Sequence, residues 1–244
     1  MEHKEIIKQI QKTAKILHRE MMCTAKSGMI SIRDKGKIFF TMPHAFFPGL
    51  KETDIRFTTE SEKTQNLSSE EFPPDLAIHL SLYQKHPELG AILHAFPQSA
   101  GSLAIAGLDI QTHYQTDSLE MLGNVIPILQ YAAEKTPRRL RILTEAFTKD
   151  HAQAVLMQND GCWTCGQNLE EALARMELVE TSAKMNLVLA AFEPESLASL
   201  SPVSAVTAKR KKSSTECSCS DHSHLSGTSK TCSGKTSRKK NQAK

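Results

Sequence analysis

The sequence predicts an α/β fold of one domain followed by a disordered basic tail, and three observations carry that prediction. Residues 3–22 and 168–187 repeat apolar positions at spacings of three and four, as amphipathic helices do. Between them lie short apolar runs such as Ala91-Ile92-Leu93, bounded by Gly90 and Pro97, which suit strands of a covered sheet. From Lys209 onward the chain is Ser, Thr, Lys, Cys and Gly, with Leu225 as its one large apolar residue. Such a segment buries too little surface to offset the entropy of ordering it. The expected organisation is a folded body over residues 1–200 and a tail over 201–244.

Composition agrees. The 244 residues are 39% hydrophobic and 23% charged, ordinary for a protein with one sizeable core. No apolar run approaches the roughly 18 residues that span a bilayer, and Met1-Glu2-His3-Lys4-Glu5 lacks the layout of a secretory signal, so the expected address is the cytoplasm. Three of the six cysteines fall in the last 28 residues, unlike the even framework of a small secreted domain, and reduced thiols are expected. The net charge of +3 hides an asymmetry. Lys209–Lys244 holds ten Lys or Arg against Glu216 and Asp221, a charge of +8, which leaves −5 for residues 1–208. The tail is therefore an electrostatic contact device for an acidic partner or an anionic surface.

The elements follow in order. In residues 3–22, Ile6, Ile7, Ile10, Ala14, Leu17 and Met21 form the inward stripe of a first helix. Ile30 and Ile32, then Ile38 and Phe40, alternate with other residues around Asp34-Lys35-Gly36, which predicts a β-hairpin. Asp54–Thr58 suits a strand, and Glu60–Ser69 is polar enough for an exposed loop. Asp75, after Pro73 and Pro74, is placed to cap a helix running to about His86. That helix leads into the strand of Ala91-Ile92-Leu93, which delivers His94 to its end. The stretch Ala100–Leu108 leaves helix and tight loop open, because Gly101 and Gly107 fit either. Asn124–Leu129 reads as a strand, at an edge if Pro127 lies within it. A helix over 135–148 and a short strand Ala154–Met157 follow, then Asn159-Asp160-Gly161 and Cys162-Trp163-Thr164-Cys165. Asn168 with Glu171 makes a capping pattern for a long helix whose inward face is Leu169, Leu173, Met176, Val179, Ala183 and Leu187.

Three of these stretches, taken in order, resemble the class II aldolase/adducin family, which takes in fuculose-1-phosphate aldolase, ribulose-5-phosphate 4-epimerase and the adducin head domain. They are Ser27-Gly28-Met29-Ile30-Ser31-Ile32-Arg33, the helix and strand from Asp75 to Phe96, and Leu156–Gly161 followed by Asn168–Leu173. The resemblance covers residues 5–195. It implies a three-layer α/β/α arrangement around a central, mainly antiparallel sheet, and a homo-oligomer, usually a tetramer, with sites between subunits.

It also implies a site. In the enzymes of the family two histidines at the end of this strand and a third before the glycine hold a catalytic zinc, and a glutamate moves the proton. Here His94 matches the first ligand, Phe96 and Asp160 stand at the other two, and Asp75 stands at the glutamate. Phenylalanine has no lone pair to offer, so three imidazoles cannot be assembled. Two readings stay open. Asp75 as acid/base with His94 and Asp160 as ligands would suit Mn²⁺, Fe²⁺ or Mg²⁺. Alternatively no cofactor is held: Asp75 caps its helix, Asp160 shapes the Asn-Asp-Gly turn and His94 packs against Phe96. The positions that bind a sugar phosphate in the family hold Met29, Pro43-His44 and Pro73-Pro74, which supply few donors, leaving Arg33 as the one evident cation, either for substrate binding or paired with Asp34 or a neighbouring acid. Loss of metal and phosphate groups together favours a non-catalytic binding or scaffold module, for which adducin's head, also followed by a basic tail, is a precedent. The alternative is a metal-dependent lyase or epimerase for a carbonyl substrate.

Smaller signals are weighed the same way. Residues three apart in a strand point to opposite faces, so Cys162 and Cys165 read as structural thiols. In the tail, Cys217, Cys219, His222 and His224 form a candidate zinc cluster. No nucleic-acid-binding motif accompanies the basic blocks, so specific base recognition is not expected.

Overall fold

The computed structural model describes residues 3–61, 72–149 and 151–192. The tail, its Cys217–His224 cluster and most of the Glu60–Ser69 loop lie outside the described residues.

Seven strands form one sheet in the order β3-β2-β1-β4-β7-β6-β5. β1 (Met29–Asp34) and β2 (Lys37–Thr41) make the expected hairpin, closed by Lys35 and Gly36 at φ 49° and 75°. Positive φ at both central residues gives the turn a twist that matches its strands. β3 (Ile55–Thr59) adds the edge beside β2, and β4 (Ala91–Ala95) pairs with the other side of β1. β7 (Gly161–Gly166), β6 (Ala154–Met157) and β5 (Ile128–Leu129) complete the sheet, antiparallel throughout except for the β5–β6 pair.

Helices cover both faces. One layer holds α1 (His3–Arg19), α3 (Gln98–Ala106), α4 (Thr116–Leu122) and α6 (Leu169–Leu189); the other holds α2 (Leu76–Lys85) and α5 (Pro137–Lys149). Period-two alternation therefore sorts apolar residues to both sides. Ile30, Ile32, Phe39 and Leu93 meet the first layer, while Met29, Ile38, Phe40 and Ile92 meet the second. β4, in the middle, is buried at all five positions. His94, two residues beyond Ile92, thus faces the α2/α5 layer from inside the protein. Cys162 and Cys165 are buried free thiols that join opposite cores, as the strand geometry requires.

Several boundaries differ from the sequence reading. α1 ends at Arg19, so Met21 is exposed in a left-handed conformation (φ 58°) and Met22 is buried instead. The open stretch at 100–108 is mostly helix, and Gly107 at φ 70° ends it. The expected strand at 124–129 shortens to Ile128–Leu129, because Pro127 has no N–H for a ladder. α4 carried no readable apolar stripe in its seven residues. In α6, Leu187 is exposed, one turn beyond the last buried position, Ala183. Asn168 does cap that helix, accepting from the Glu171 N–H at 2.9 Å, while the Glu171 carboxylate accepts from Gln167 N–H at 2.6 Å.

Candidate functional site: a buried charge network beneath a cleft

β4 positions the central group. His94 lies opposite Met29 on β1 and Trp163 on β7, and its imidazole stacks on the Trp163 ring at 3.8 Å with an interplanar angle of 8°. Phe96 packs on it at 4.8 Å, as one reading expected. Both ring nitrogens have partners. Nδ1 donates to the Asp75 carboxylate at 2.6 Å, and Nε2 donates to the Asp160 carbonyl at 2.8 Å. An ionised carboxylate and a carbonyl only accept, so both contacts are satisfied together by the doubly protonated ring.

Asp75 stands just before α2, where a cap was expected. Its backbone is already helical (φ −80°, ψ −11°) and its side chain makes no capping bond. The carboxylate faces inward instead, accepting from His94 with Oδ2 and from Arg139 Nη2 with Oδ1 at 2.9 Å. Burial alone would raise this carboxyl group; the charges of His94 and Arg139 and the His94 hydrogen bond overcome it, holding Asp75 well below the usual carboxylate range.

Asp160 sits in the β6–β7 turn, between Asn159 (φ 61°) and Gly161 (φ 106°). Its backbone does shape the turn, while its carboxylate accepts from Arg139 Nη1. Burial pushes this carboxyl upward, against the pull of His94 and Arg139. Gly161 is required here: a Cβ would lie 2.5 Å from the Ala95 carbonyl oxygen and 3.2 Å from His94 Nε2.

Arg139 ties the set together and was not singled out from sequence. It comes from α5, is 2% exposed, and gives one guanidinium nitrogen to each carboxylate. Its Cζ is 5.1 Å from the Trp163 ring centroid. The stretch Pro137-Arg138-Arg139-Leu140-Arg141 looks like a solvated face. The available signal was register, since Arg139 shares its helical face with Leu143, Ala146 and Phe147, all buried.

Beside this network is a second polar cluster. His79, one turn after Asp75, shares a 2.7 Å hydrogen bond with Ser31 Oγ, which is 2.9 Å from the Tyr83 hydroxyl. Burial pushes His79 down to about 3, with the Asp75 charge opposing and the His94 charge assisting.

A cleft of about 420 Å³ opens onto the charge network. Its walls bring together Gly28, Met29, Pro43, His44, Pro73, Pro74, Asp75, His94 and Phe96, so two of the three stretches that carried the resemblance meet there, with Asp160 of the third just beneath. Arg33 is elsewhere. Its guanidinium donates to the carbonyls of Tyr83 at 2.9 Å and His86 at 3.1 Å, and to those of Pro87 and Leu89, with Glu60 at 3.6 Å. This fastens the end of α2 to β1, and Arg33 does not line the cleft.

The zinc that the resemblance implies does not fit these side chains. Both His94 nitrogens are engaged, Phe96 offers no donor, and a guanidinium bridges the two carboxylates. Among the described residues no group of three or more His, Cys, Asp and Glu side chains is arranged to hold a metal ion. Asp75, His94 and Asp160 do converge, but around Arg139. No described helix is long and apolar enough to cross a membrane.

The sequence profile of the Class II Aldolase and Adducin N-terminal domain matches residues 8–187. An L-fuculose phosphate aldolase of Escherichia coli strain K12 is 28% identical over 217 residues, covering 86% of this chain and 96% of the relative. The protein of the same name from Methanococcus maripaludis strain C7 is 24% identical over 178 residues, covering 73% and 94%. The crystal structure of L-fuculose-1-phosphate aldolase from Thermus thermophilus superimposes with a TM-score of 0.67 at 19% identity, over 76% of this chain and 94% of that one.

Proposed function

This chain belongs to the class II aldolase and adducin N-terminal domain family, and we propose that it is a member without zinc-dependent carbon–carbon cleavage, which keeps its cleft as a binding site. The observation that carries this reading is His94. Nδ1 is engaged by the Asp75 carboxylate and Nε2 by the Asp160 carbonyl, so neither ring nitrogen is turned toward an open ligand position. The cleft joins apolar walls of Met29, Met42, Phe72 and Phe96 to Lys26, His44, Glu134 and Lys135, which favours a ligand carrying both apolar and polar or charged groups. In this reading the body, residues 1–200, is an oligomeric binding or scaffold module, and residues 201–244, with a charge of +8 from Lys209 onward, tether it to an acidic partner or an anionic surface in the cytoplasm.

One observation favours a second reading, a divalent-metal-dependent lyase or epimerase. The relatives that match most of the chain bear the name of an aldolase. In that case Arg139 would swing away, leaving His94 and Asp160 to bind the ion and Asp75 to move the proton, with Arg33 no nearer the substrate. The two readings part in one experiment. The purified full-length chain is assayed for cleavage of L-fuculose phosphate with Zn²⁺, Mn²⁺ or Mg²⁺. No turnover under any condition is expected; metal-dependent turnover that disappears in Asp75→Asn would overturn the first reading and establish the second.

A further inference from the structure

We propose that the Arg139 guanidinium is the resident cation of this site, a covalently attached occupant of the position between Asp75 and Asp160, and that its removal turns that position into a divalent-cation site. The inference rests on the metal-free reading above and adds what replaced the metal.

The geometry supports it from several sides. Asp75 precedes α2 and Asp160 lies in the β6–β7 turn, so two unconnected segments present carboxylates to one point. A single guanidinium answers both, with Nη2 on Asp75 and Nη1 on Asp160. Packing of α5 does not call for an arginine, since the rest of that face is Leu143, Thr144, Ala146 and Phe147. One carboxylate is buried and the other partly so, and a cation that touches both favours their ionised forms. The pair also has the right chemistry for a hard ion, because Mg²⁺ and Mn²⁺ are held by one or two carboxylates with water completing the shell. Shortening Arg139 to Ala would leave room for that water.

The test titrates Mn²⁺ into full-length wild type, Arg139→Ala and Arg139→Ala/Asp160→Asn, read by calorimetry and by loss of the free-ion paramagnetic signal. Manganese is chosen because the thiols of the tail prefer softer metals. Arg139→Ala is expected to bind one Mn²⁺ per chain and to gain several degrees of thermal stability. Methylguanidinium is expected to give the same gain, while wild type and the double variant show neither effect. Arg139→Ala that binds no Mn²⁺, or binds it as well without Asp160, overturns the inference. Should Arg139→Ala be unfolded alone, recovery of its far-ultraviolet dichroism on refolding with Mn²⁺ or methylguanidinium supports the inference, and recovery with neither overturns it. The outcomes separate the two claims. Wild type that binds Mn²⁺ through Asp75 and cleaves the sugar phosphate breaks the metal-free reading; inactive wild type with an ion-free Arg139→Ala breaks only this inference.

Discussion

His94 and His79 are both buried on the α2/α5 side of the sheet and both lie near Asp75, yet their ring nitrogens meet opposite kinds of surroundings. His94 has two partners that can only accept, and the arrangement calls for an imidazolium. His79 has one hydroxyl, Ser31, and a second nitrogen with no partner, so burial keeps it neutral with a pKa pushed down to about 3. Location in the core does not decide the charge. What decides it is whether the neighbours answer a proton on each nitrogen, and around His94 the answer comes from two places, Asp75 just before α2 and the Asp160 carbonyl in the β6–β7 turn.

The comparison breaks most visibly at Arg139. Arg139→Met keeps much of the side chain's length and removes the cation, leaving the buried Asp75 with His94 alone and the partly buried Asp160 without a charged partner. A loss of about 3–5 kcal/mol in urea denaturation is expected. A loss under about 1 kcal/mol would mean that the carboxylates are neutral in the fold.

The second test is pH. His79 has a folded pKa below its ordinary 6.5, so the unfolded chain takes the proton first. Stability therefore falls as pH drops below 6.5, by about 1.4 kcal/mol per unit, until the folded pKa near 3 is reached. Asp75 has a different window: its folded pKa is depressed, so its contribution is present above the ordinary carboxylate value and is lost only at stronger acid. The decline between about pH 6 and 4 thus belongs to His79, and His79→Phe is expected to flatten it. An unchanged slope in that variant would place the charge elsewhere.

The smallest expected effect is at Ser31. Ser31→Ala leaves His79 Nδ1 and the Tyr83 hydroxyl without their shared partner, and a cost of about 1–3 kcal/mol is expected from thermal or urea unfolding. A cost near zero would indicate that the cluster finds other partners.

The sequence was most readable where one physical rule acted alone. The stripes of α1 and α6, the hairpin around Lys35-Gly36 and the buried run of β4 follow from periodicity and turn chemistry, and the structure has each of them. Ends were less readable, because Met21 and Leu187 continue a periodic pattern past the point where tertiary contacts stop. At the site, Asp75, His94 and Asp160 were found by position, but their roles depend on partners distant in the chain. Asp75 offered a plausible cap and gives its carboxylate to Arg139, 64 residues away. Arg33 was found as a cation by position, while its four carbonyl partners at the end of α2 carry no side-chain signature in the sequence. Arg139 itself was hidden among three arginines in five residues, where only the helical register separates the buried one from the exposed ones.

The charge state of His94 is the most direct measure of whether the site holds its own cations or awaits a metal. Side-chain ¹⁵N–¹H spectroscopy of the full-length protein at neutral pH, with the His94 signals assigned by His94→Asn, reads it. Two protonated ring nitrogens, unchanged by added Zn²⁺, are the expected result; one unprotonated nitrogen that shifts on binding Zn²⁺ would contradict it.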